Sequence, residues 1–398
     1  MTAGDAELPK ALRFRLAIPK TPAPRLGLFY AAVFLEIGVT MPFFALWLDA
    51  SGLGADDIAL TLAAPQFLRI VTTPVIAYLA DRLGARKPVL VACLAASVTG
   101  FVALGVQRAL WPIVLLYAVA SACLSAAMPL AEAASMRLAT EGRIDYGRVR
   151  LWGSLTFILA SVLGGWYVQV FAAGHVVWLV AAAAGLALLT GSFMPGDTAR
   201  ARPRLGAFRA VAAPKLLMLF LGGSLVQASH AVYYAFSSLQ WHEEGLPGSL
   251  IGALWAWAVV SEVILFWASK RLFAGFGPAV PLGLGAAAGA ARWAAMSLEP
   301  PLGLLILLQA GHALSFAAAH FGAVQAASQV RPELQATAQS LYAALNGLAM
   351  AGATTAAGPL YGAFGPGAYL GAAGLALMGL VLILGVRPDG PRAPGGSA

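Results

Sequence analysis

Charge is scarce in this chain of 398 residues: 11% are Asp, Glu, Lys or Arg, against 60% hydrophobic. A soluble domain carries about 25% charged residues. A chain this long and this poor in charge cannot cover a water-facing surface, so it reads as a polytopic membrane protein. Cysteine is nearly missing as well. Cys93 and Cys123 both sit in apolar runs without CxxC spacing, which excludes a disulfide framework and a zinc site. No metal or cofactor is expected. A nucleophile–base constellation is also lacking, so the chain is not read as an enzyme. The opening MTAGDAELPKALRFRLAIPK has no long apolar core, and a cytoplasmic tail is expected there rather than a cleaved signal peptide.

What is present is a repeated apolar run. Runs of about 20 residues, enough to cross ~30 Å of hydrocarbon, recur at 26–48, 56–80, 88–107, 110–136, 150–172, 175–194, 215–240, 249–269, 278–298, 302–328, 336–360 and 367–386. Only helices are expected, because each span must satisfy its own backbone polar groups. With both termini cytoplasmic, 22 of the 25 basic residues fall in inside tails and loops; Arg108 is outside, and Arg69 and Arg292 lie within spans. That skew sets the orientation. It also accounts for the net charge of +8 through anionic lipid rather than nucleic acid. The basic segment PGDTARARPRLGAFRAVAAP divides the spans six and six. The predicted organisation is a tail at 1–25, a six-helix half at 26–194, a cytoplasmic linker at 195–214, a second half at 215–386 and a tail at 387–398. The fold class is all-α integral membrane, with twelve transmembrane helices in two halves, a plan shared by many secondary transporters.

The loop AYLADRLGARKP, 77–88, resembles the loop signature of the major facilitator superfamily after its second span. Asp81, Arg82, Gly84 and Arg86 match, as does Lys87; Ala77 replaces the usual first glycine. The resemblance implies that the acid and the basic residues clamp neighbouring helix ends and gate the cytoplasmic side. The segment YGRVRLWGSLTFI, 146–158, is similar to the fifth span of lactose permease and of the phenylpropionate permease group. In lactose permease an acid 18 residues before an arginine pairs with it to hold the substrate, and an aromatic seven residues after that arginine stacks on it. Glu132, Arg150 and Phe157 stand at those positions. Glu262, Arg292 and His312 likewise resemble that permease's acid, arginine and histidine. Ser315 departs from the pattern, standing where the relative has its proton-carrying glutamate.

Ionisable groups inside spans are rare, face the bundle interior and mark a pathway or a pair. In WAWAVVSEVILFWAS, 255–269, Glu262 stands alone among apolar residues. Desolvation and a neighbouring arginine act on a carboxylate in opposite senses, so Glu262, with Arg292 and His312, is the expected proton-coupling group; a static Glu262–Arg292 pair is the alternative. Glu36 and Arg69, both halfway along their spans, are expected to form an intramembrane charge pair. Polar–aromatic stripes in the seventh, tenth and eleventh spans place Tyr234, His312 and Asn346 with Glu132, Arg150 and Phe157 as candidate substrate contacts.

These features predict a proton-coupled symporter that takes up a small organic solute, of aromatic acid, sugar or nucleoside class, by alternating access. An efflux antiporter of the same fold is the alternative, weakened because span five, SLTFILASVLGGWY, lacks the Gly/Pro-rich antiporter run. The expected partners are a small-molecule substrate, protons and the lipid bilayer, with a monomer as the working unit. The Ala- and Gly-rich composition suggests a bacterial inner membrane.

Overall fold

The structure, a computed structural model, describes residues 21–196 and 211–386. Residues 1–20 of the tail expected at 1–25, the tail expected at 387–398 and most of the linker, 197–210, lie outside the described residues; the first helix already begins at Pro22. Every long element among the described residues is helical. Among the described residues, ten stretches are long and apolar enough to cross a membrane; one of them, Pro332–Leu384, holds two successive helices. With Ala279–Met296 this makes twelve spans. The first six are Pro22–Ala50, Ala55–Leu83, Arg86–Leu104, Leu110–Thr140, Tyr146–Phe171 and Ala173–Ser192. The second six are Pro214–Glu243, Gly248–Leu272, Ala279–Met296, Leu302–Ser328, Gln335–Phe364 and Ala368–Leu384.

Local sequence explains the ends. Pro22 and Pro214 open their helices, where the missing N–H has no intrahelical partner to lose. The Asp145 carboxylate accepts the Arg148 amide at 3.0 Å and caps the fifth span. Gly84 ends the second span at φ +60°, a left-handed conformation that suits glycine. Five residues apart across that turn, Arg86 Nε donates to Asp81 at 2.6 Å, so the motif does clamp the end of the second span to the start of the third. Arg82 points outward, exposed. Large apolar side chains such as Trp267 and Val381 are 78% and 70% exposed, as a lipid-facing belt requires.

The apolar core is divided unequally. One cluster joins both halves: Phe43, Trp47 and Val168 pack in it with Phe236, Trp241 and Tyr361. All of these lie toward the far face, the end of the bundle opposite that where the first span begins. A second cluster, from Leu26 to Met194, belongs only to the first half. A third, from Val211 to Val386, belongs only to the second. The halves therefore meet at the far face and keep separate cores at the near face.

The seal at the far face is backbone against backbone. A Cβ on Gly252 would stand 2.1 Å from the Ser161 carbonyl oxygen, and one on Gly165 would stand 2.2 Å from that of Gly248. The fifth and eighth spans can approach this closely only because neither carries a side chain there. The eleventh span repeats the device, since a Cβ on Gly358 would meet Ala59 Cβ at 2.7 Å. Gln66 Nε2 also donates to Thr354 Oγ1 across the halves at 3.2 Å.

Candidate functional site

Two spans of the second half are interrupted. The seventh is two helices, Pro214–Ala228 and Ala231–Glu243, and the tenth contains a π-helical turn, Ala313–Ala318, directly after His312. Such a turn inserts an extra residue per turn and is frequent at functional sites. His312 is thereby held between the eighth and ninth spans. Its Nε2 lies 3.0 Å from Glu262 Oε1, and Arg292 Nη1 lies 3.1 Å from its Nδ1.

Arg292 is 2% exposed and well partnered. Its Nε donates to the Leu308 carbonyl at 2.7 Å and its Nη2 to Gln309 Oε1 at 3.1 Å. The same Gln309 oxygen accepts the Tyr233 hydroxyl at 2.9 Å. The guanidinium lies over the rings of Trp293 and Tyr233, 4.3 and 4.6 Å from their centroids. Each such stack contributes up to ~2 kcal/mol when desolvated. The direct Glu262–Arg292 pair, the alternative to a proton-coupling set, is not formed: the imidazole of His312 stands between the two and bonds both. Trp255 and Tyr234 flank this array, with Trp255 stacked on Tyr233 at 4.7 Å and on Tyr234 at 6.1 Å. Phe316 stacks on His312 at 5.3 Å. Tyr234 and Phe316 are half-buried.

The first half is arranged differently. The Glu36–Arg69 pair expected from their matching depths is not formed. Glu36, 3% exposed, accepts from Thr40 Oγ1 one turn along its own helix at 2.7 Å. Arg69 is exposed, and its hydrogen bond is to a neutral acceptor, Ser125 Oγ, at 3.3 Å. The Glu132–Arg150 ion pair is not formed either. The Arg150 guanidinium lies over the rings of Phe34 and Tyr30, at 4.2 and 5.5 Å. Gly153 makes room for it: a Cβ there would stand 2.9 Å from Arg150 Nη1. Glu132 is half-buried. Phe157, 6% exposed, packs in the shared core, so the aromatic partner of Arg150 is Phe34. Asn346 is half-buried, and its Oδ1 has no hydrogen-bond partner. The arrangement therefore holds a hydrogen-bonded carboxylate–imidazole–guanidinium chain in one half and, in the other, two guanidinium groups that make no direct ion pair.

Comparison with known proteins follows the same lines. A family model described as the MFS_1 like family matches residues 24–369. The chain is 30% identical over 375 residues to the protein of Escherichia coli K12 named "Probable 3-phenylpropionic acid transporter", spanning 92% of this chain and 98% of that one. It is 29% identical over 351 residues to the maltose permease of Geobacillus stearothermophilus, spanning 85% and 86%. Among solved structures, the nucleoside transporter NupG superposes with a TM-score of 0.80 at 16% identity, covering 92% of this chain and 98% of that one. A bacterial homologue of the lysosomal transporter Spinster, inward-facing and unoccupied, superposes at 0.69 with 15% identity, covering 92% and 94%. The likeness to these two structures concerns the fold.

Proposed function

Because the chain belongs to the MFS_1 like family, and so to the transporters of the major facilitator superfamily, we propose that it is a proton-coupled symporter taking up an aromatic carboxylic acid. The observation that carries this reading is the asymmetry between the halves. Glu262, His312 and Arg292 form a hydrogen-bonded chain in the second half, suited to holding a proton that can leave. In the first half, Arg69 keeps a neutral hydroxyl as partner and Arg150 lies on aromatic rings.

Arg69, about halfway along its span, touches no carboxylate, and such a guanidinium inside the membrane is costly. A carboxylate matches its forked donors, and Phe34, Tyr234 and Phe316 supply faces for a ring. The relative named for 3-phenylpropionic acid supports that choice among aromatic acids, sugars and nucleosides. With the basic loops cytoplasmic, the far face is external, and a bundle whose shared core lies there, among the described residues, fits the inward-facing member of an alternating-access pair. The protein then works in a cell membrane, as a monomer, with both termini inside.

Purified protein in proteoliposomes tests the reading through solute-induced proton current. 3-Phenylpropionate is expected to evoke current, and maltose and uridine are not. Glu262→Gln is expected to abolish uphill accumulation and keep solute exchange. Current with maltose or uridine alone, or normal uphill uptake by the variant, overturns the reading.

A further inference from the structure

The break in the seventh span falls at Ser229 and His230. The His230 amide bonds to the Gln227 carbonyl at 3.1 Å. The Val226 carbonyl is taken by side chains instead, the Ser229 hydroxyl at 2.6 Å and His230 Nδ1 at 3.1 Å. The same two side chains bolt the break to its neighbours. Ser229 Oγ accepts from Trp293 Nε1 at 2.8 Å, and His230 Nε2 lies 3.2 Å from Ser315 Oγ, within the π-helical turn. The rings of His230 and His312 meet edge to face, centroids 5.1 Å apart. Two interrupted helices thus touch through two histidines.

Donor and acceptor rules fix where the protons are. A guanidinium only donates, so His312 Nδ1 accepts from Arg292, and the ring carries its proton on Nε2, directed at Glu262. Carbonyl oxygens only accept. His230 Nδ1 faces two of them, Val226 at 3.1 Å and Gln227 at 3.2 Å, so that nitrogen carries the proton. His230 has no carboxylate among its bonded partners, so it is neutral, and its Nε2 accepts the Ser315 hydroxyl. Facing histidines therefore hold opposite tautomers.

We propose that His230 and Ser315 are positioning residues that report the proton state of the Glu262–His312 pair to the break in the seventh span. The groups facing the pair are Arg292 from the ninth span, His230, Tyr233 and Tyr234 from the seventh, and His320, two turns beyond His312 on the tenth, which interacts with Glu262 through its charge. A proton taken up by this pair changes how the ring is held. On His312 Nδ1 it meets the Arg292 donor and that bond opens; on the second oxygen of Glu262 it cancels the charge that the His312 N–H points at, and that bond weakens. Either way the ring is released from one side, together with the turn that follows it. Ser315 has a single hydroxyl proton and two acceptors in reach, His230 Nε2 at 3.2 Å and the His312 carbonyl at 3.4 Å. Moving it to the second releases the seventh span. Discontinuous helices are where such folds place their moving parts, and here the link is a hydroxyl.

The inference rests on the symport reading for its switching half and on geometry alone for its tautomers, and the two are separable. The ¹⁵N spectrum of histidine-labelled protein in lipid nanodiscs, assigned by single substitutions among its five histidines, is expected to show His230 protonated on Nδ1 and His312 on Nε2. Like tautomers, or a proton on His230 Nε2, overturn the assignment. Ser315→Ala is expected to shift the His230 Nε2 resonance toward that of an unbonded imine nitrogen. It should lower uphill 3-phenylpropionate accumulation about tenfold, the scale of one lost buried hydrogen bond, and leave exchange within about twofold. Unchanged accumulation, or exchange lost in parallel, overturns the coupling role. Wild-type protein that accumulates no solute under a proton gradient overturns the symport reading and the switching half together, with the spectrum still deciding the tautomers.

Discussion

Gly252→Ala should open the far face. The added Cβ would stand 2.1 Å from the Ser161 carbonyl oxygen and 3.3 Å from Gly165 Cα. An ordinary C···O contact is about 3.3–3.6 Å, so the fifth and eighth spans must part by roughly 1.2 Å at this level. The obstacle is backbone on both sides, and no rotamer change relieves it. Overpacking of this kind costs about 1–3 kcal/mol, which lowers the population of the closed far face about 5- to 150-fold. The helix itself is not weakened, since alanine is the better helix former. Cross-linking is the assay. With Cys93 and Cys123 replaced by serine, cysteines are placed at Gln169 and Ser249, whose groups already bond across the halves at 3.2 Å. The disulfide formation rate should fall at least fivefold in Gly252→Ala. It should be unchanged in Gly185→Ala, where a Cβ meets nothing within 4 Å. A rate within about twofold of the Gly252 parent would refute the claim that the seal depends on backbone contact.

Other expectations concern the charges. Arg69→Gln should raise the KM for 3-phenylpropionate about tenfold or more, the scale of a charge-assisted hydrogen bond, while Arg69→Lys keeps part of the affinity; equal KM in Arg69→Gln and wild type removes the carboxylate role. Gly153→Ala should displace the Arg150 guanidinium from Phe34 and weaken binding as much as Arg150→Ala does, read by solute titration of intrinsic fluorescence. Trp293→Phe removes the indole N–H that Ser229 accepts and should lower stability by about 1–2 kcal/mol, seen as a lower Tm with a larger loss in uphill transport than in exchange. Asp81→Asn should weaken the clamp to Arg86 and slow net transport without changing the KM.

The twelve spans were legible because the bilayer imposes length and apolarity on each span separately. The Asp81–Arg86 clamp was legible because both partners lie on one short turn. Pairing between spans was not. Depth along a helix can be read from residue number, but the rotation of one helix against another cannot, so Glu36 and Arg69 share a depth and still face different partners. Glu262, Arg292 and His312 could be named together from their spans, but their order could not: the imidazole stands between the other two, beside a π-helical turn, and the sequence there, GHALSFAA, carries no proline to announce it. His230 and Gln309 lie on the same polar–aromatic stripes as Tyr234 and His312, at helical spacing. What makes them matter is the break at Ser229–His230, and only the folded chain shows that Tyr233, one residue off the stripe, faces Arg292.

The unequal division of the apolar core has a consequence for how the chain is made. Each half owns a near-face cluster built from its own residues, so each can acquire that part of its packing before the other has been synthesised. The shared far-face cluster cannot exist until both are inserted, so it forms last. The surface that closes last in assembly is then the first to part when the halves rock, and biogenesis and turnover run over the same ground.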